Sequence, residues 1–180
     1  MPSFHIEPYA PDLHQARSFR SGVSAVDTWL RSAKRALQAK TSAVFVLIDL
    51  DEPGPRRRVL GYFALAASSC EVNELPGDSA EGLPAFPVPC FLITWLGLDR
   101  TLQGQGLGDA LLGKAVAKCL HAREHVAAVL VVVDSLGDEA TAWYQRRGFR
   151  AFARTPRRLF ARMEDLAERS PAPGASSPPA

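Results

Sequence analysis

The stretch Gln103-Gly104-Gln105-Gly106-Leu107-Gly108 has the residue types and the spacing needed to hold a phosphate group. It follows an apolar stretch that predicts a strand and precedes a stretch that predicts an amphipathic helix. Glycines let the backbone approach a ligand closely, and the free N–H groups at a helix start carry the positive end of the helix dipole. The turn therefore predicts a site for a phosphate-bearing cofactor.

Two common phosphate-binding motifs do not fit this turn. A dinucleotide-binding turn needs G-x-G-x-x-G early in a βαβ unit, with an acidic residue about 20 positions later. This chain has Gln-x-x-Gly-x-Gly instead, in its second half. A P-loop would end in Gly-Lys-Ser/Thr, which the sequence lacks. Taken alone, the turn remains compatible with several cofactors.

Together with a downstream segment, the turn resembles the GNAT acetyltransferases. Gln103–Gly108 matches their Arg/Gln-x-x-Gly-x-Gly/Ala motif, and Ala142–Phe149 resembles their Phe-Tyr-x-x-x-Gly-Phe segment. The resemblance implies an α/β (α+β) mixed sheet with splayed central strands, the acyl-CoA N-acyltransferase fold. It implies acetyl-CoA as cosubstrate, with its pyrophosphate on the turn and its pantetheine arm along Leu96-Gly97-Leu98. The residues so assigned to the cofactor are Leu96, Leu98, Gln103, Gly104, Gln105, Gly106, Leu107, Gly108 and Ser135.

Tyr144 is the catalytic residue that the resemblance implies, with its hydroxyl near the thioester sulfur. A thiol leaving group has a pKa of about 8.5, and a positioned phenol can protonate it or donate a hydrogen bond to it. The structural alternative is a core aromatic packed beside Phe149. Asp134 and Ser135 could orient the cofactor or the amine, or they could cap the helix that follows.

Other segments resemble the tRNA-acetylating GNAT toxins of type II toxin–antitoxin modules. The segments are Phe19–Gly22, Val26–Leu30, Gly61–Leu65, Leu83–Pro89 and Val133–Ser135. This resemblance implies acetylation of the α-amino group of an aminoacyl-tRNA, which blocks translation. It also implies a ribbon-helix-helix antitoxin as partner and a homodimer.

The acceptor side of the site is expected to involve Trp95, Arg31, Arg35 and Arg147. An α-amino group has a pKa of roughly 7.7–8.0, so it needs little help from a general base. Two basic clusters, residues 31–40 and 146–162, could hold an RNA backbone or could be ordinary solvated faces. The toxins usually have Arg where this chain has Trp95, which could stack on a base or fill the core.

Two other functions stay open at this stage. The chain could acetylate a small-molecule amine or a protein N-terminus, which Trp95 and the formal net charge of +2 favour. It could also be a member that binds acetyl-CoA or a partner without catalysis. Acetyl transfer to small amines without any effect of tRNA distinguishes the first alternative from a tRNA acetyltransferase.

The elements that must position these residues follow from periodicity. We predict strands at 4–9, 43–50, 59–69, 90–98, 126–134, 149–152 and 159–163, and helices at 24–40, 106–123 and 138–147. Ser24 is expected to cap the first helix, and residues 71–89 are expected to be irregular. Residues 1–168 form one predicted domain, and 169–180 form a disordered tail rich in Pro, Ser and Ala.

Cysteine usage and hydropathy bear on the compartment. Cys70, Cys90 and Cys119 are far apart and suggest neither a metal site nor a disulfide framework. No apolar run reaches the ~18 residues of a membrane span, and no secretory signal is evident. The expected location is the cytoplasm, with no metal and no membrane partner.

Overall fold

The computed structural model describes residues 3–169, and the predicted tail lies almost entirely outside this range. The strands are β1 (Phe4–Pro8), β2 (His14–Gln15), β3 (Ala43–Asp49), β4 (Arg57–Arg58), β5 (Gly61–Cys70), β6 (Val88–Leu98), β7 (Leu130–Asp134), β8 (Arg150–Ala151) and β9 (Arg158–Arg162). The helices are α1 (Ser24–Gln38), α2 (Gly77–Ala80), α3 (Leu107–Arg123), α4 (Asp138–Gln145) and α5 (Met163–Arg169).

A seven-stranded sheet in the order β1-β3-β5-β6-β7-β9-β8 forms the centre of the fold. All its neighbouring strands are antiparallel except β6 and β7, which are parallel. Helix α1 packs with one hydrophobic cluster of the sheet, while α3, α4 and α5 share another. This architecture confirms the predicted α/β mixed sheet.

The two central strands separate near the predicted cofactor site. Strands β6 and β7 pair from Cys90 and Leu130 only as far as Ile93 and Val133. Beyond that point β6 continues to Leu98 without β7 beside it. A bulge lies at the same place, because Ala64 pairs with Trp95 and the next residue, Leu65, pairs with Ile93. The sheet therefore opens beside the last residues of β6, where β6 and β7 diverge, as the resemblance predicted.

Helix α1 begins where the sequence predicted, but its start is stabilised differently. Ser24 is the first helical residue rather than the cap, and Val23 precedes it without a side-chain cap. Asp27, in the first turn, instead accepts hydrogen bonds from the N–H (2.8 Å) and the hydroxyl (2.6 Å) of Ser21. The carboxylate thus ties the helix start to the preceding loop, a contact over six residues that local cap rules do not include.

The buried face of α3 differs partly from the predicted one. The sequence predicted a stripe through Leu107, Ala110, Leu111, Lys114, Ala115 and Leu120. The structure buries Leu111, Leu112, Ala115, Val116 and Cys119, and it leaves Ala110 and Lys114 exposed. Apolar residues occur all around this helix, so periodicity alone does not select the face that meets β5 and β6.

Several boundaries also differ from the prediction. Strand β7 starts at Leu130 rather than at 126, and β5 starts at Gly61 rather than at 59. Residues 71–89 include a 3-10 turn (Val72–Glu74) and the short helix α2, so this region is more ordered than expected. Helix α5 was not predicted, because its few residues follow β9 directly. Helix α4 ends at Gln145 rather than at 147, and Gly148 follows in the left-handed region with a φ of 90°.

The three cysteines are buried and unbridged. Burial raises the pKa of the Cys119 thiol to about 12, which keeps it protonated and unreactive. Between residues 3 and 169, no helix combines the length and the apolar content that crossing a bilayer requires.

Candidate functional site

The glycine-rich turn has the geometry of an anion-binding loop. Gly104 and Gly106 have φ values of 75° and 76°, in the left-handed region that side-chain-bearing residues rarely adopt. No atom lies within 4 Å of the position that a Cβ would take at either residue, so the turn is open above them. Within residues 3–169, the N–H groups of 104–108 donate no backbone hydrogen bond. A row of unpaired N–H groups at the start of α3 is suited to a pyrophosphate.

The side chain of Gln103 braces this turn. Its amide nitrogen donates to the carbonyl oxygen of Leu98 (2.9 Å) and to that of Ser21 (2.8 Å). The side chain therefore joins the end of β6, the turn and the loop before α1. The contribution that Gln103 can make to a bound phosphate comes through its backbone and the shape of the turn.

A buried carboxylate supports the same junction from below. Asp99 is 2% exposed and accepts hydrogen bonds from Arg20 N–H (3.0 Å) and from the N–H (3.1 Å) and hydroxyl (2.8 Å) of Thr101. Arg58 lies 3.3 Å away. Burial by itself would raise the pKa of Asp99, but these hydrogen bonds and the Arg58 charge hold it below its ordinary value. Asp99 is therefore ionised and rigidly held.

Successive residues at the end of β6 point to opposite faces of the sheet. Leu96 and Leu98 pack on the α3 side, where the sheet opens. Gly97 faces α1 so closely that a Cβ would lie 2.5 Å from Val26 Cγ1 and 3.2 Å from Tyr62 Cε1. Only glycine fits at this position, and its lack of a side chain allows α1 to pack closely against β6. The backbone of Leu96 and Leu98 is left without a β7 partner, as a pantetheine-binding strand requires.

Tyr144 lies in the core beneath the α3–α4 side of the sheet. Its ring packs edge-to-face against Trp143 (4.9 Å between ring centroids) and Phe149 (5.6 Å). Burial raises the pKa of its hydroxyl to about 12, so the phenol is protonated at neutral pH. The ring fills the core beside Phe149, which agrees with the alternative that Tyr144 is a core aromatic residue. Its protonation state is compatible with a proton donor.

An ion pair beside the turn joins the first turn of α3 to the segment that follows α4. The Arg147 guanidinium pairs with Asp109 in the first turn of α3 and lies 3.8 Å from the ring centre of Trp143. It also donates to the Trp143 carbonyl oxygen (2.8 Å). A Cβ on Gly108 would lie 3.5 Å from Trp143 Cζ2. Arg147 therefore lies on the cofactor side of the site, apart from Arg31 and Arg35.

Ser135 lies in a structural network at the end of β7. Its hydroxyl donates to the Arg157 carbonyl oxygen (3.0 Å) and lies 2.6 Å from the Thr141 hydroxyl on α4. Asp134 pairs with Arg158 at 3.3 Å. Neither side chain caps α4, whose first position follows Gly137 without a side-chain cap. Ser135 ties α4 to the sheet through Thr141, which helps to position Tyr144, whereas Asp134 pairs within the sheet.

Three aromatic rings form a stack on the α1 side of β6. Trp29 stacks on the buried ring of Tyr62 at 5.7 Å and 8°, and Trp95 stacks on Trp29 at 5.4 Å and 22°. The Tyr62 hydroxyl donates to the Val26 carbonyl oxygen (2.7 Å). Trp29 and Trp95 are each only partly buried. Trp95 is therefore both anchored to the core and accessible.

The two basic clusters have different electrostatic states. Arg31, Lys34 and Arg35 are exposed on α1, and none of them has an acidic partner within residues 3–169. In the cluster at 146–162, four of the seven arginines pair with a carboxylate, while Arg146 and Arg154 have no carboxylate partner within residues 3–169. Its paired members are Arg147 with Asp109, Arg150 with Asp78, Arg157 with Asp138 and Arg158 with Asp134, while Arg162 donates to the Ser79 and Glu81 carbonyl oxygens.

Sequence reasoning missed four contributors to this site. Trp29 lies within the Val26–Leu30 segment and Trp143 within the Ala142–Phe149 segment, but the motifs assign a role to neither. Asp99 and Asp109 are single acidic residues whose partners lie far away in the chain. Their only local signal is their position just before and just after the glycine-rich turn. No group of three or more potential metal ligands occurs among the described residues.

Comparisons with known proteins agree with this geometry. A family model described as Acetyltransferase (GNAT) family matches residues 19–149. A tRNA-acetylating toxin of Mycobacterium tuberculosis is 34% identical over 154 residues, which cover 86% of this chain and 89% of the relative.

Two solved structures extend the comparison. AtaT complexed with acetyl-methionyl-tRNAfMet is 26% identical with a TM-score of 0.82, over 92% of this chain and 98% of that one. AtaTR bound with AcCoA is 26% identical with a TM-score of 0.79, over 92% and 96%. The glycine-rich turn, the opened sheet and these likenesses together place the chain in the GNAT acetyltransferase family.

Proposed function

We propose that the chain is an N-acetyltransferase that transfers the acetyl group of acetyl-CoA to the α-amino group of an aminoacyl-tRNA. The observation that carries this proposal is the combination of the open glycine-rich turn, with its unpaired N–H groups, and the unpaired end of β6. The protonated hydroxyl of Tyr144 on α4 is assigned as the proton donor from the resemblance to the family. The similarity to a tRNA-acetylating toxin supports the choice of acceptor.

The residues present fit acetyl-CoA. The N–H groups of 104–108 suit its pyrophosphate, and the space above Gly104 and Gly106 gives that group room. The backbone of Leu96 and Leu98 can pair with the amides of the pantetheine arm. When bound, acetyl-CoA supplies a thioester that is activated toward attack by an amine.

The chain's own contribution is mainly positioning and one proton. Tyr144 donates its hydroxyl proton, or a hydrogen bond, to the departing sulfur, and solvent restores the proton. Because the acceptor amine has a pKa of roughly 7.7–8.0, a useful fraction is neutral at physiological pH without a strong base. Asp99 and Gln103 hold the turn, and Ser135 with Thr141 holds α4, so the two halves of the site keep their spacing.

The acceptor side is assigned to α1 and the aromatic stack. The unpaired charges of Arg31 and Arg35 suit RNA phosphates, and the ring of Trp95 suits stacking on a base. The partners that we propose are a neutralising antitoxin of the ribbon-helix-helix type and a second copy of the chain. The proposed compartment is the cytoplasm, where charged tRNA occurs.

A small-molecule amine or a protein N-terminus is the second candidate acceptor. The observation that favours it is that four of the seven arginines in the 146–162 cluster pair with carboxylates, which leaves less uncompensated positive charge for RNA. The two candidates differ in their response to tRNA. A small-amine enzyme acetylates its substrate at the same rate whether or not charged tRNA is present.

The proposal is tested by incubating the purified chain with labelled acetyl-CoA and a mixture of charged tRNAs. We expect label on the aminoacyl end of at least one tRNA and inhibition of in vitro translation. Tyr144→Phe should lower the rate roughly 100-fold or more. Tyr9→Phe removes a phenol hydroxyl elsewhere and should have little effect. Unlabelled tRNA together with undiminished protein synthesis would reject the proposal.

A further inference from the structure

A groove of about 580 Å³ lies between the edge of the sheet and the exposed flank of α3. This volume is within the range of clefts that hold ligands. Its floor is apolar, formed by the partly buried side chains of Phe4 and Ile6 on β1 and by Leu47 on β3. Its wall is α3, and the wall residues are Leu107, Ala110, Leu111, Lys114, Ala117, Lys118 and His121.

The groove is separate from the site described above. No residue of α4 lines it, and Tyr144, Trp95 and the unpaired end of β6 do not contribute to it. The two sites share only Leu107, the first residue of α3. The groove includes Ala110 and Lys114, the two α3 positions that the sequence predicted to be buried and that the structure leaves exposed.

The charge on the groove wall has a single sign. Lys114 and Lys118 contribute two positive charges, and the other titratable lining residues are histidines. No carboxylate of the described part of the chain lines the groove. The Lys118 ammonium lies 4.8 Å from the ring centre of Phe45, which keeps it along the apolar floor. An occupant that complements this surface therefore combines apolar side chains with carboxylates.

The groove also borders an unpaired strand edge. Strand β1 is the first strand in the sheet order, and among residues 3–169 it pairs only with β3. Its outer backbone groups are available to a further strand, and proteins commonly bind extended peptides in this way. A polypeptide can therefore use backbone hydrogen bonds and side-chain burial at the same place.

We propose that this groove is the docking site for an acidic, apolar segment of a partner protein. A second copy of this chain is disfavoured as the occupant, because a two-fold contact through this surface would bring Lys114 and Lys118 of both copies together. RNA is disfavoured because the floor of Phe4, Ile6 and Leu47 offers nothing to phosphates. The inference concerns a surface outside the acetyl-transfer site and does not depend on the acceptor.

The test is a selection from a displayed library of random 12-residue peptides against the full chain. We expect enriched peptides that combine Asp or Glu with Leu, Ile, Val or Phe. Their affinity should fall about tenfold or more for a variant carrying Lys114→Glu and Ala117→Glu, which places carboxylates in the groove. Both positions are exposed on α3, so the variant should keep the melting temperature and the acetyl-transfer rate of the parent.

Lys34→Glu on α1 is the matched control. It reverses a lysine charge, as Lys114→Glu does, on an exposed helix face away from the groove, so it should leave peptide binding unchanged. Enriched peptides without acidic residues, or peptides that bind the groove variant as tightly as the parent, would overturn the proposal. A groove variant with altered self-association or RNA binding and unaltered peptide binding would overturn it too.

A failure of the proposed acetyl-transfer function would appear in the acetyl-transfer assay and not in the peptide-binding assay. Peptide binding requires neither acetyl-CoA nor tRNA. Loss of peptide binding in the groove variant with unchanged acetyl transfer supports the docking site, whatever the acceptor proves to be.

Discussion

Trp95 stacks on Trp29 with ring centroids 5.4 Å apart and ring planes 22° from parallel. Trp29 in turn stacks on the fully buried ring of Tyr62. The three rings connect the core beneath α1 to the end of β6 where the sheet opens. The Trp at position 95 therefore does not simply remove a positive charge, because it makes a rigid aromatic surface beside the point where β6 and β7 separate.

Trp95→Ala tests this surface as an acceptor platform. Stacking on a base contributes about 1–3 kcal/mol, so we expect the KM for charged tRNA to rise about tenfold or more. The KM for acetyl-CoA should stay unchanged, and Trp95→Phe should restore most of the affinity. Steady-state kinetics with each substrate varied in turn measures both values. An unchanged KM for tRNA would show that Trp95 only fills space.

Gly106→Ala tests the phosphate-binding turn. An alanine at a φ of 76° costs about 1–2 kcal/mol of strain and shifts the N–H groups that face the ligand. We expect the KM for acetyl-CoA to rise about tenfold. Gly82→Ala is the matched control, because Gly82 has the same φ and the same open surroundings in a distant loop. Equal acetyl-CoA affinity in the two variants would argue against a role of the turn in binding.

Gly97→Ala tests the close packing of α1 against β6. The added methyl would meet Val26 Cγ1 at 2.5 Å, so we expect a loss of about 2 kcal/mol in the free energy of unfolding. Gly113→Ala, at an exposed position within α3 with no atom near the new methyl, should instead stabilise the chain by about 0.5–1 kcal/mol. Urea denaturation measures both changes. Similar stability of the two variants would contradict the close packing at Gly97.

The pH dependence follows from the protonation state of Tyr144. Its pKa is raised to about 12, so the proton donor stays protonated throughout the accessible range. The acceptor amine becomes neutral as the pH rises through roughly 7.7–8.0. The rate should therefore rise through that region and stay level up to about pH 10. A decline at about pH 9 would mean that the essential acid has a lower pKa than this buried phenol.

Arg35→Gln tests α1 as the RNA-binding face. Removing one unpaired charge should weaken tRNA binding and lower the slope of log affinity against log salt by about one. Arg157→Gln is the control, because Arg157 already pairs with Asp138 at 3.2 Å. A filter-binding titration at several salt concentrations measures the slopes. A larger effect of Arg157→Gln would move the RNA contact to the other cluster.

The part of the site that could be predicted from the sequence is formed by residues close together in the chain. Gly104 and Gly106 reveal the turn because a left-handed backbone and an exposed row of N–H groups are local properties. Tyr144 and Gly148 belong to one short helix and its end. The order of strands and helices also follows from local periodicity, and that order together with the motifs was enough to predict the fold class.

The tertiary structure decided what depends on partners far apart in sequence. Whether an arginine is free or neutralised depends on pairs such as Arg150 with Asp78, which lie 72 residues apart. Three other features also depend on residues that are distant in sequence. They are the Trp29–Trp95 stack, the hydrogen bond from Gln103 to the Ser21 carbonyl oxygen, and the exposed face of α3. Composition determined that these charges and rings were present. Only the packing of α1 and α3 on the sheet determined which of them meet each other and which remain accessible to a ligand, because contact depends on distance in space rather than along the chain.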